Sequence, residues 1–191
     1  LFGILSLATA AAFIVMSKDY KRMLAYSSIE HMGIIAIGFG IGGPLAIMGA
    51  LFHMLNHALT KTLLFFGAGN VLQRYGTREI AGVKGLATVM PATAVLVAGG
   101  ALAIVGRPPF ATFLSEFMIL AGAIDGGDLL AAAVYLGLLA VVFAAFLYHA
   151  GRTLFGNAGP EVEHGEVGRW RPVLMAVLLV AVMVLGLYMP E

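Results

Sequence analysis

Seven ionisable side chains interrupt otherwise apolar runs of this sequence: Glu30, His31, His53, His57, Lys61, Arg107 and Glu116. Such a group near the centre of a bilayer costs about 2.5–3.5 kcal/mol on insertion scales. Each is therefore expected to face protein or water rather than lipid. His53, His57 and Lys61 recur every four residues, which places them on one face of a helix with about 6 Å of rise per step. Asn56 and Thr60 flank the stripe. Neutral imidazole carries one donor and one acceptor and titrates near physiological pH. A row of imidazoles leading to an ammonium can thus hand a proton along in steps. The competing reading is that these side chains only cross-link neighbouring helices, a common use of polar groups in membrane bundles. Three residues in register, with a lysine at mid-span, favour the relay.

Glu116 stands two turns beyond Gly106-Arg107-Pro108-Pro109, where a carboxylate could hold or release a proton. On the structural reading it pairs with Lys61 or Arg107 instead. Glu30 and His31 are adjacent and so lie on different helix faces. His31 is the better relay residue of the two, and Glu30 is assigned to a helix end or a neighbouring subunit. Glu30, Arg107, Asn56 and Thr60 are thus modulators of a relay built from Lys61, His57, His53, His31 and Glu116. His149, beside Tyr148, reads as an interfacial residue. No metal site is expected, because His53 and His57 have no third ligand near them in sequence. The glycine clusters lack a phosphate-binding pattern, so no cofactor is expected in this chain. The absence of cysteine excludes disulfides, iron–sulfur clusters and thiolate metal sites.

The elements that must carry these residues are membrane helices. The 191 residues are 61% hydrophobic and 11% charged, whereas a soluble domain is about 25% charged. A water-soluble fold, a disordered tail and a nucleic-acid binder are excluded. A span needs about 20 apolar residues, and six segments of an all-α integral membrane protein qualify or nearly do: 1–16, 23–42, 44–72, 88–124, 129–151 and 171–189. They are too long for barrel strands and lack alternation. The fourth is too long for one straight span and is broken at 106–110, where two prolines remove two amide donors. Irregular backbone at that depth is tolerated only against protein or a water-filled cavity. Residue 1 is Leu inside an apolar run with no charged leader, so 1–191 is expected to be one transmembrane domain of a longer chain, without a signal peptide. Sorted by this topology, Lys18, Lys21, Arg22, Arg74, Arg78, Lys84, Arg152, Arg169 and Arg171 all fall on one side. The positive-inside rule makes that side cytoplasmic and the C-terminus external. The loop at 156–168 reads as a connector.

The stretches DYKRMLAYSSIEHMG (19–33), HMLNHALTKTLLFFGAGNV (53–71) and GRPPFATFLSEFMIL (106–120) resemble the antiporter-like subunits of proton pumps. That family comprises the large membrane subunits of respiratory complex I, multisubunit Na⁺/H⁺ antiporters and group 4 nickel–iron hydrogenases. The resemblance is greatest to the F-type membrane component of hydrogenase 4. It implies a fourteen-helix fold of two inverted five-helix repeats, of which these six spans would be the second repeat plus the final helix, the first repeat being missing. It maps the family's central lysine onto Lys61, its histidines onto His31 and His57, and the acid of its second broken helix onto Glu116. His53 matches a position that is histidine in only some members. Arg107 stands where the family usually has leucine, a fixed cation that would oppose a proton or Na⁺ unless an acid pairs with it. The implied function is H⁺ (or Na⁺) movement within a membrane-bound oxidoreductase of hydrogenase or NADH:quinone oxidoreductase type in the inner membrane. Partner membrane subunits and a peripheral redox module would carry the Ni–Fe, Fe–S or flavin centres. The alternatives are a structural membrane anchor and a Na⁺/H⁺ antiporter subunit without a redox partner.

Overall fold

Proline, glycine and aspartate set most helix boundaries in the computed structural model, which describes residues 1–188. Helix α1 (Phe2–Val15) leads through a short loop to α2 (Tyr20–Ile41). Asp19 caps α2 by accepting from the Lys21 and Arg22 amides at 2.8 and 3.0 Å, two of the donors that a helix start leaves free. Gly42 and Gly43, at φ 73° and 74°, reverse the chain into α3 (Gly43–Tyr75). Both positions need a residue that tolerates positive φ. A 3₁₀ turn (Ile80–Gly82) and the short α4 (Leu86–Val89) precede α5 (Pro91–Ile104). The apolar run expected from residue 88 therefore becomes one continuous helix only at Pro91, whose missing amide donor suits a first helical position. Then follow α6 (Ala111–Asp125), α7 (Leu129–Leu154) and α8 (Trp170–Leu187).

Three of these helices, α2, α7 and α8, are long and apolar enough to cross a membrane, and α1 and α5 are shorter apolar helices. The end of the expected final span at Met189, and the C-terminus assigned to the external side, lie outside the described residues. Helices α5 and α6 are about 21 and 22 Å long and meet at the irregular segment 105–110. Its amides are largely satisfied locally: Arg107 N–H donates to the Leu102 carbonyl (3.1 Å) and Phe110 N–H to the Arg107 carbonyl (3.0 Å). Helix α8 seats on this break through Gly186, where any Cβ would overlap the backbone of Pro109–Ala111.

Small residues draw the helices together, as is usual where lipid removes the hydrophobic drive between them. A Cβ on Gly3 would stand 2.7 Å from the Gly33 carbonyl oxygen, so α1 and α2 touch backbone to backbone. The central helix α3 packs on α2, α5, α6 and α8. Two expectations fail at the basic end. His149 is buried, with Nε2 3.1 Å from the Ile14 carbonyl oxygen. It ties α7 to the last turn of α1, its ring nitrogen shared between the Ile14 and Val15 carbonyls instead of open to water. The 156–168 loop is also more than a connector. Glu166 accepts from the Ala92 and Thr93 amides at 2.8 and 3.1 Å, capping α5, and Glu163 pairs with Arg74 at 3.2 Å.

Candidate functional site

Helices α2, α3 and α6 bring the polar residues of three sequence segments to one buried centre. His31 of α2 and His53 of α3 are fully buried, with His31 Nδ1 2.7 Å from His53 Nε2. His53 Nδ1 lies 2.9 Å from Ser115 Oγ of α6, and the Ser115 hydroxyl donates to the Thr112 carbonyl at 2.8 Å. This network assigns the tautomers. A carbonyl can only accept, so with the Ser115 proton committed to it, Ser115 Oγ accepts from His53 Nδ1–H. His53 Nε2 is then a lone pair that accepts from His31 Nδ1–H. His31 Nε2 is left as a lone pair, buried and without a partner among the described residues.

His57 is half-buried and leans on His31, with ring centroids 4.8 Å apart. The His31 ring of the neighbouring helix thus stands against both stripe histidines, His53 at 5.0 Å and His57 at 4.8 Å between ring centroids. Lys61, expected to continue the stripe, makes its hydrogen bonds to α2: its ammonium donates to the Leu24 carbonyl and to Ser27 Oγ (2.6 Å). Glu30 is buried close enough to Lys61 and Glu116 for their charges to interact. The flanking Asn56 and Thr60 are buried, and their side-chain polar atoms find no partner among the described residues. Buried polar groups of this kind are normally satisfied by ordered water, so the centre favours hydration.

Glu116 is buried with its carboxylate directly over Gly106 at the break, where a Cβ would overlap it. It forms no ion pair with Lys61 or Arg107 among the described residues, the only ion pair there being Arg74–Glu163. Arg107 is exposed, with its guanidinium 5.6 Å from the centre of the Phe143 ring. The sharp turn at Gly106, φ 65°, directs the glutamate and the arginine to different places. Sequence reasoning missed Ser27, Ser115 and Tyr135. The Tyr135 hydroxyl from α7 is buried without a partner in the chain and lines, with Glu116, a groove of about 300 Å³. Two of the three carry a weak signal, small hydroxyls three residues before Glu30 and one before Glu116.

This fold and site define a polytopic all-α membrane protein with a buried histidine–lysine–glutamate centre. Residues 1–147 match the family described as NADH:quinone oxidoreductase/Mrp antiporter, transmembrane, and the chain belongs to that family. It is 43% identical over 145 residues to a hydrogenase-4 component F homolog of Methylacidiphilum infernorum, covering 76% of this chain and 30% of that protein. Identity to a probable K⁺/H⁺ antiporter subunit of Rhizobium meliloti is 34% over 98% of this chain and 19% of that protein. A chain of respiratory complex I from Thermus thermophilus superposes with a TM-score of 0.88 at 30% identity, over 96% of this chain and 39% of that one. The chain thus spans under a third of the length of these two curated relatives.

Proposed function

We propose that this chain is part of a proton-translocating, antiporter-like subunit of a membrane-bound oxidoreductase of the hydrogenase 4 kind. The observation that carries the reading is the buried run Ser115–His53–His31–His57. In it a proton taken up at His31 Nε2 displaces the Nδ1 proton to His53 Nε2, leaving His53 as an imidazolium whose Nδ1–H stays on Ser115, one residue before Glu116. Lys61, with two hydrogen bonds to α2 and Glu30 within charge reach, supplies a second titratable site beside the run. Its charge state alternates with that of the glutamates as the partner enzyme turns over. Redox centres of Ni–Fe, Fe–S or flavin type belong to partner subunits. The six apolar segments are read as spans of a second inverted five-helix repeat plus a final helix, in the cytoplasmic membrane with basic loops inside and the C-terminus outside. The likeness to a K⁺/H⁺ antiporter protein supports one alternative, the same relay in a cation/H⁺ antiporter without a redox module.

Replacing Lys61 by alanine in the complete complex tests the reading. Proton translocation into vesicles is expected to fall more than tenfold while the complex still assembles. Translocation at the original rate in that variant overturns the relay.

A further inference from the structure

His31, His53 and Glu116 come from three helices, yet one ligand atom of each lies within 4.8 Å of the other two. All three are buried. Two imidazoles and one carboxylate are the donor set of an open zinc site, which leaves the fourth position to water. His53 is held from behind as a ligating imidazole should be. Its Nδ1 meets Ser115 at 2.9 Å, and Ser115 is fixed by the Thr112 carbonyl at 2.8 Å, the outer hydrogen bonding that sets tautomer and aim. His31 has the complementary freedom. Its Nε2 is buried and unpartnered in the chain, so its proton can reside there and turn Nδ1 into a second lone pair facing the first.

We propose that a divalent transition cation of the Zn²⁺ class binds between His31, His53 and Glu116, in place of the proton shared by the two imidazoles. Their nitrogens stand 2.7 Å apart. Zn–N bonds of about 2.0–2.1 Å in tetrahedral geometry need about 3.3 Å between them, so the rings part slightly and the carboxylate moves in. The protons balance: the His31 proton shifts from Nδ1 to Nε2, both imidazoles stay neutral, and Glu116 binds as the carboxylate, releasing its proton to water where it carries one. Imidazole with carboxylate suits Zn²⁺ better than soft Cu⁺, which selects thiolate and thioether ligands. The site stands on this geometry alone. Its consequence, a block of proton transfer because the cation occupies the lone pairs of the run, rests on the function proposed above.

Titration of the purified full-length complex with Zn²⁺ tests the site, with metal content and zinc K-edge absorption as readouts. The expected result is one tightly held ion per copy with two imidazole ligands, retained at least tenfold more weakly in His53→Gln and in Glu116→Gln. Glutamine at 53 keeps a polar side chain in the buried position, and assembly of each variant is checked first. Zinc held equally by the parent and both variants, or a coordination shell without imidazole, overturns the site. Zinc bound as expected with translocation unimpaired upholds the site and overturns the proton path through it.

Discussion

The Ser115 hydroxyl decides which way the two buried imidazoles point their protons, although it neither titrates nor carries charge at working pH. Its own proton goes to the Thr112 carbonyl, which obliges His53 to donate from Nδ1 and to offer Nε2 to His31. Ser115→Ala leaves a buried imidazole N–H without an acceptor, at about 1–3 kcal/mol, and lets His53 take either tautomer. Imidazole ¹⁵N shifts are expected to move from a single Nδ1–H form toward a mixture, with slower proton transfer in the same variant. An unchanged single tautomer would mean that Ser115 serves packing alone. That His31, His53, Lys61 and Glu116 face the protein interior was readable from residue type and depth in apolar runs. Their pairing was not. Helical spacing links His53 to His57 and Lys61 along α3, whereas the contacts run across to His31 and Ser27 on α2. No one-dimensional spacing records how two helices are rotated against each other.

Helix starts and stops were readable where a local rule governs them, as at Gly42-Gly43 and the Pro108-Pro109 break, whereas the start at Pro91 was placed three residues early. The role of the 156–168 loop was not, because its partners lie some seventy-four positions away: Glu166 reaches the free amides of Ala92 and Thr93. A carboxylate at a helix start satisfies orphan donors and meets the positive end of the helix dipole. This one does so for the helix that leads into the break. Glu166→Ala is expected to cost about 0.5–2 kcal/mol, the usual loss for an N-terminal cap. Thermal denaturation of the purified protein should register it, together with faster proteolysis between residues 156 and 168. An unaltered melting curve and cleavage rate would show that the loop is held by its other contacts, Arg74–Glu163 and the Gly165 amide on the Val89 carbonyl.

Across the whole molecule, the distribution of charge predicts which face meets which compartment. Helix α7, about 39 Å long, separates the acidic turn at Asp125–Asp128 from the loop that begins at Phe155. That loop shares its end of the bundle with Arg74, Lys84 and Arg171, through Glu163 on Arg74, the Gly85 amide on the Phe155 carbonyl, and Arg171 on Gln73 at 2.7 Å. Basic residues close to span ends are retained on the cytoplasmic side, so this end is expected inside the cell. The chain holds no cysteine, which makes the expectation easy to read. A thiol introduced as Glu161→Cys should react with a membrane-impermeant maleimide only in inverted vesicles, and one introduced as Gly126→Cys only in right-side-out vesicles. Both positions are exposed, so silence cannot be blamed on burial. Labelling of both from the same side would require α7 to lie along the membrane rather than across it. The histidine centre would then no longer sit between two aqueous phases, and a proton could gain nothing by traversing it.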